Sequence, residues 1–133
     1  MSARSMLLLA FLTGGPLVIT SPVMAQETIT PLISKGLAGV SGKDVLMYTV
    51  DFPAGYSSPV HRHDAQLFLY VLEGSIVTQV KGGKEITLTP GQIFFEDPND
   101  IHTVSRNASS TQPAKFLVFM VKKKGAPPLI LEK

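Results

Sequence analysis

Residues 61–74 read HRHDAQLFLYVLEG, and the stretch holds two of the chain's three histidines. In an extended segment, side chains at i and i+2 point to the same side, so His61 and His63 project together with Arg62 turned away. Two neutral imidazoles aimed at one point are what a strand can offer a divalent metal. The third histidine, His102, begins another short strand in IHTVSRN, and an antiparallel neighbour would bring it opposite the pair. Each candidate is bracketed by turn residues: Gly55 and Gly74 around the pair, Gly91 and Pro98 before His102. If the three converge as ligands at ~2.1 Å from one ion, their nearest ring nitrogens should lie about 3 to 4.5 Å apart.

Working outward, the chain reads as all-β. Asp44 to Phe52, Leu67 to Leu72, Ser75 to Val80, Glu85 to Thr89, Gln92 to Phe95, His102 to Arg106 and Ala114 to Val121 are short runs rich in β-branched and aromatic residues. No window carries a sustained helical period. Lys81-Gly82-Gly83-Lys84 predicts a two-residue hairpin turn on Gly-Gly, and Thr89-Pro90-Gly91 a type II turn. Strands this short and this regularly spaced indicate a sandwich or barrel. Gly125-Ala126-Pro127-Pro128 ends the regular structure, so the Leu-Ile-Leu tail must lie against the barrel or a partner.

The first twenty-five residues, MSARSMLLLAFLTGGPLVITSPVMA, hold one basic residue, an apolar stretch and small residues at the −3 and −1 positions before Gln26. They are expected to be a secretory signal peptide cleaved after Ala25. A membrane anchor fits less well, because Gly14-Gly15-Pro16 interrupts a stretch that needs roughly 20 apolar residues to span. The expected product, residues 26–133, is periplasmic or secreted, with no membrane attachment after cleavage. Its size suits one domain with one core. Three regions are expected within it: an N-terminal segment over 26–39, the barrel over 40–122 and a tail over 123–133. The absence of cysteine rules out disulfides, thiolate metal sites and a cysteine nucleophile. A formal net charge of +2 is too small for a nucleic-acid footprint, so no nucleic-acid partner is expected. Lys122-Lys123-Lys124 reads as a solvated strand end.

With both histidine segments in view, the chain resembles the cupins, small β-barrels of the jelly-roll type. Their first motif runs G(X)5HXH(X)3,4E(X)6G, and Gly55, His61, His63 and Gly74 match it apart from the glutamate. Their second runs G(X)5PXG(X)2H(X)3N, which Gly91, Pro98, His102 and Asn107 match loosely. The resemblance covers roughly residues 40 to 122 and implies a single small jelly-roll barrel. It also implies one metal inside, held by the two histidines and glutamate of the first motif and the histidine of the second.

The departures bear on function. Leu67, which cannot ligate, stands at the glutamate's position, and the nearest oxygen donors are Gln66 and Asp64. On a regular strand Gln66 faces away from Leu67, so it joins the site only if a bulge or turn re-aims it. The alternative is a site of three histidines with more open positions. Asp100 stands where the family often has glycine, with one residue fewer before His102.

The metal expected at His61, His63, His102 and Gln66 is a divalent ion, with Fe, Zn, Mn, Ni and Cu all compatible with imidazole. Phe68, Tyr70, Ile93, Phe94, Phe95, Phe116, Phe119 and Met120 surround the expected site as core or ligand-lining residues, Tyr70 being the one that could donate to a bound oxygen or, on the parity of Gln66, face outward. Glu96 and Asp97, beside Pro98 and Asn99, read as an exposed turn. Asn107-Ala108-Ser109 is a glycosylation sequon by pattern.

Three functions remain open. One is an exported binding module holding a metal and a small organic ligand. Another is a metal-dependent dioxygenase or related oxidoreductase acting on a small oxygenated substrate. The third is a structural cupin without metal. A homodimer is expected, because a small barrel leaves an edge exposed and the apolar tail has little to cover on a monomer.

Overall fold

The computed structural model describes residues 24–133, so the expected leader lies outside the described residues except for Met24 and Ala25. Ten strands follow in order: β1 Thr28–Gly36, β2 Lys43–Phe52, β3 His61–Arg62, β4 Ala65–Glu73, β5 Ile76–Val80, β6 Ile86–Leu88, β7 Ile93–Glu96, β8 Ile101–Asn107, β9 Ala114–Lys123 and β10 Ile130–Leu131. They form two five-stranded antiparallel sheets, β1-β2-β9-β4-β7 and β10-β3-β8-β5-β6, the two-sheet jelly roll of the sequence reading.

Alternation sets the inner faces. Ala65, Leu67, Leu69 and Val71 of β4 point inward, as do Ala114, Phe116, Val118 and Met120 of β9 and Tyr48, Val50 and Phe52 of β2. Ile76 and Leu88 meet them from the opposite sheet. Phe52 and Phe116 stack edge to face with centroids 4.9 Å apart, an arrangement favoured by the ring quadrupoles. Outward residues of β4, β7 and β9 form an aromatic strip: Phe68 packs on Phe95 and Phe119 with centroids 5.3 and 6.1 Å apart. Of the eight apolar residues expected around the site, Phe116 and Met120 are buried in the core and Phe94 packs against it. Phe68, Tyr70, Ile93 and Phe95 face out, and the half-buried Phe119 packs on Phe68.

Turn chemistry explains several boundaries. Gln92 N–H donates to the Thr89 carbonyl at 3.0 Å with Gly91 at φ 89°, which is the type II turn expected there. The Gly-Gly hairpin takes a different form. Gly83 N–H donates to the Val80 carbonyl with only Gly82 at positive φ, so the turn is centred on Lys81-Gly82 and the strands resume pairing at Thr78 and Ile86. Gly74 is required for closeness as well as for its φ of 67°: a Cβ there would meet the Pro113 carbonyl oxygen at 2.4 Å.

Two polar residues lie deeper than their sequence patterns suggest. Lys122 is buried, and its ammonium donates to the Ala126 carbonyl at 2.9 Å, so the lysine run is not wholly solvated. Asn107 is buried too. Its amide donates to the carbonyls of Phe52, Pro53 and Gln112 and its oxygen accepts from Ser109 N–H, making it a clamp between loops instead of an accessible sequon.

Candidate metal centre

The histidines are brought together by register. His61 of β3 lies directly opposite His102 of β8 in the antiparallel ladder, and their rings stack with centroids 4.9 Å apart at 22°. His63, two residues on and therefore on the same side, sets its ring edge-on at 5.1 Å from His61 and 5.9 Å from His102. All three are buried, and each offers a nitrogen within 4.8 Å of the others, a limit slightly above the expected upper spacing of about 4.5 Å.

Hydrogen bonds decide which nitrogen each ring presents. His61 Nδ1 lies 2.7 Å from the Pro59 carbonyl and His63 Nδ1 2.6 Å from the Pro128 carbonyl. A carbonyl can only accept, so both Nδ1 atoms carry the hydrogen and both Nε2 atoms keep their lone pairs, the usual way a protein orients a metal-binding imidazole. Burial holds the His61 pKa down to about 4 against the opposing effect of the Pro59 carbonyl, and the neighbouring imidazoles push the same way. Burial likewise lowers the pKa of His63. The pair is neutral at neutral pH, the state in which imidazole binds metals.

His102 is held differently. Its Nδ1 lies 3.1 Å from the Thr78 hydroxyl, and its Nε2 lies 2.6 Å from Oε1 of Glu96. The carboxylate accepts the Nε2 hydrogen, while Thr78 donates to Nδ1. A hydroxyl can also accept, so the tautomer can reverse and free Nε2.

Glu96 overturns its reading as part of an exposed turn. β7 runs one residue further than the sequence suggested, which puts Glu96 on the inward face with Phe94 and leaves it 1% exposed. The turn begins only at Asp97, and its left-handed residue is Asn99 at φ 70°, so Asp100 needs no glycine's freedom. Asn99 N–H donates to the His63 carbonyl, and its side chain accepts from Arg62, tying this turn to the histidine strand.

Gln66 and Leu67 fall on opposite sides of β4. Gln66 is exposed on the outer face, and no bulge re-aims it, since register with β9 is continuous from Ala65 through Val71. The structure therefore does not bring Gln66 to the histidines. Leu67 is 2% exposed within the core. The tyrosine facing the interior is Tyr48, not Tyr70. Burial, then the charges of Glu96 and Glu27, push its pKa up, so its hydroxyl stays protonated as a donor.

The donor set fits a divalent cation on two counts. Two Nε2 lone pairs are aimed inward by their Nδ1 bonds, with a third available from His102. Glu96 Oε2 is buried with no partner, an uncommon and costly state for a carboxylate oxygen. The site lines a cavity of about 50 Å³ that also includes Tyr48, Leu69, Thr78 and Val118. A wider recess of about 370 Å³, bounded by Gln26, Glu27, Tyr56, Ser58, Pro59 and Leu129, reaches His61 from outside.

Comparison with known proteins agrees with the fold. The family profile for the cupin domain matches residues 48–120. DMSP lyase DddQ from Ruegeria pomeroyi DSS-3 superposes with a TM-score of 0.63 at 24% identity, over 79% of this chain and 51% of that one. A cupin-like protein from Thermotoga maritima MSB8 gives 0.62 at 21% identity, over 80% and 75% of the two chains. Oxalate oxidase in complex with the substrate analogue glycolate gives 0.59 at 21% identity, over 79% and 54%. The chain thus spans about half the length of the DMSP lyase and oxalate oxidase chains. No curated protein sequence matched the chain.

Proposed function

The chain belongs to the cupin family, and from that premise we propose that it is an exported protein holding one divalent metal on His61, His63 and His102 and presenting it to a small organic ligand. The observation that carries this reading is the convergence of three buried histidines, two of them locked by backbone carbonyls into the tautomer that leaves Nε2 free. A metal bound there supplies Lewis acidity or redox chemistry to whatever oxygen donor takes its open positions. The chain's own residues do the rest. Thr78 adjusts the tautomer of His102, and Tyr48 can donate a hydrogen bond to a bound oxygen. Leu67, Leu69 and Val118 keep the inner cavity apolar.

A small ligand is favoured because the cavity at the histidines is only about 50 Å³, and the recess of about 370 Å³ shares Glu27, Ser58, His61 and Leu129 with it. Two structural neighbours, the DMSP lyase and the oxalate oxidase, are themselves named for reactions of small molecules. Export rests on the leader pattern of residues 1–25. A homodimer remains part of the proposal, now through the outer aromatic strip instead of the tail.

Elemental analysis of the protein purified from its native compartment tests the metal reading. About one equivalent of a single transition metal, lost in the His61→Ala variant, is the expected result. Metal-free protein that also fails to take up added metal would leave a structural cupin.

A further inference from the structure

Resting on the metal reading above, the geometry points to Glu96 as a fourth ligand of that metal, supplied from the strand beside the one where the family keeps its carboxylate. The family's glutamate position is Leu67, and in the antiparallel β4–β7 ladder the residue directly opposite Leu67 is Glu96. Directly opposed residues have Cβ atoms about 4.5–5.5 Å apart and point to the same face of the sheet. A glutamate side chain covers much of that distance, so a carboxylate lost from β4 can be returned from β7 to nearly the same point in the barrel.

Two features show that Glu96 is aimed at the histidines and is not simply a buried acid. Its Oε1 already meets His102 Nε2, the nitrogen that would bind the metal, at 2.6 Å. That contact is a hydrogen bond; with an ion between them the two atoms would sit about 3 Å apart, each at ~2.1 Å from the metal. The change asks for a few tenths of an ångström and loss of the shared proton. The second feature is Oε2, fully buried and without any partner. A structural role for Glu96 would be complete with the His102 bond and would leave that oxygen unexplained. A cation shared with the three imidazoles satisfies it. Three neutral ligands and one carboxylate then replace the all-neutral set that the missing family glutamate had implied.

The test is a Co(II) titration of the wild-type protein and of Glu96→Gln, reading both affinity and the visible d–d absorption bands. Glu96→Gln should bind Co(II) at least about tenfold more weakly, with shifted bands, because a charged ligand has been removed. Affinity within twofold of wild type would overturn the assignment while leaving the histidine site intact. Weaker binding with unchanged bands would also overturn it, placing Glu96 behind His102 as a positioning residue. Wild-type protein that takes up no Co(II) would sink the metal reading itself. Should Glu96→Gln fold poorly, the exchange variant Leu67→Glu/Glu96→Leu serves instead, since it moves the carboxylate back across the ladder. Wild-type-like Co(II) affinity is expected of it, and loss of binding in a variant with native circular dichroism would overturn the assignment.

Discussion

At the scale of single residues, the histidines were legible and the carboxylate was not, and the difference is physical. HXH spacing and strand alternation are local rules that survive folding, so His61, His63 and His102 could be named from the sequence. Glu96 depended on where one strand stops. A boundary after Phe95 puts it in a turn with Asp97, Pro98 and Asn99, and a boundary one residue later buries it at 1% exposure. The signal that could have found it is parity with Phe94 on a strand whose outer residues are Ile93 and Phe95. The same local electrostatics yield a pH prediction for the metal-free protein. His61 has a folded pKa of about 4, below the ordinary value of 6.5, so the unfolded chain binds its proton first as pH falls. The corresponding stability is complete above about pH 6.5, declines below it and is lost once pH passes about 4, by up to roughly 3 kcal/mol. The midpoint for urea unfolding of metal-free protein should therefore drop steadily between pH 6.5 and 4. His61→Gln should flatten that slope, and a slope unchanged by the substitution would remove His61 as its source.

At the scale of elements, the seven predicted strands are all present with boundaries shifted by one or two residues, because their β-branched and aromatic runs carry their own signal. β3 and β10, each two residues long, carry none and exist only through long-range pairing: β3 lies between β8 and β10, with Ile130 opposite Arg62 and Leu131 opposite His61. β1 was missed for a related reason. All nine of its residues are exposed, so TITPLISKG shows no buried face to alternate with, and Pro31 suits an edge position. The tail turns out to be part of the site. Lys122 anchors its turn at Ala126, the Pro128 carbonyl fixes the His63 tautomer, Glu132 N–H bonds the Val60 carbonyl, and its carboxylate pairs with Arg62 at 2.6 Å. The partly exposed ion pair contributes little alone, but the Pro128 bond orients His63, one of the three proposed ligands. Deleting residues 126–133 should therefore weaken Co(II) binding by about 10- to 100-fold. Wild-type affinity in the shortened chain would show that His63 needs no help from the tail.

At the scale of the whole molecule, the tail docks on its own barrel, and the outer sheet supplies the surface on which a dimer is expected. β7 pairs only with β4 and so presents an open row of backbone donors and acceptors at the edge of its sheet. Beside that edge, Phe68, Tyr70, Ile93 and Phe95 are 45%, 44%, 72% and 45% exposed, a contiguous aromatic and aliphatic surface. An open edge next to an apolar strip invites pairing unless charge or proline blunts it, and neither Ile93 nor Phe95 does so. A second copy of the chain fits this edge, because an antiparallel β7–β7 pairing across a two-fold axis uses the same surface on both partners. A formal net charge of only +2 sets up little repulsion between copies. Light scattering at micromolar concentration should return twice the chain mass. Ile93→Lys with Phe95→Lys places a charge on each outward position of the edge without touching the inward Phe94 and Glu96. That variant should run as a monomer while keeping Co(II) affinity, since the histidines and Glu96 all lie within one barrel. A dimer that persists in it would move the interface elsewhere, with the fully exposed β1 edge next to be tested, and a monomeric wild-type protein would end the case for association at either edge.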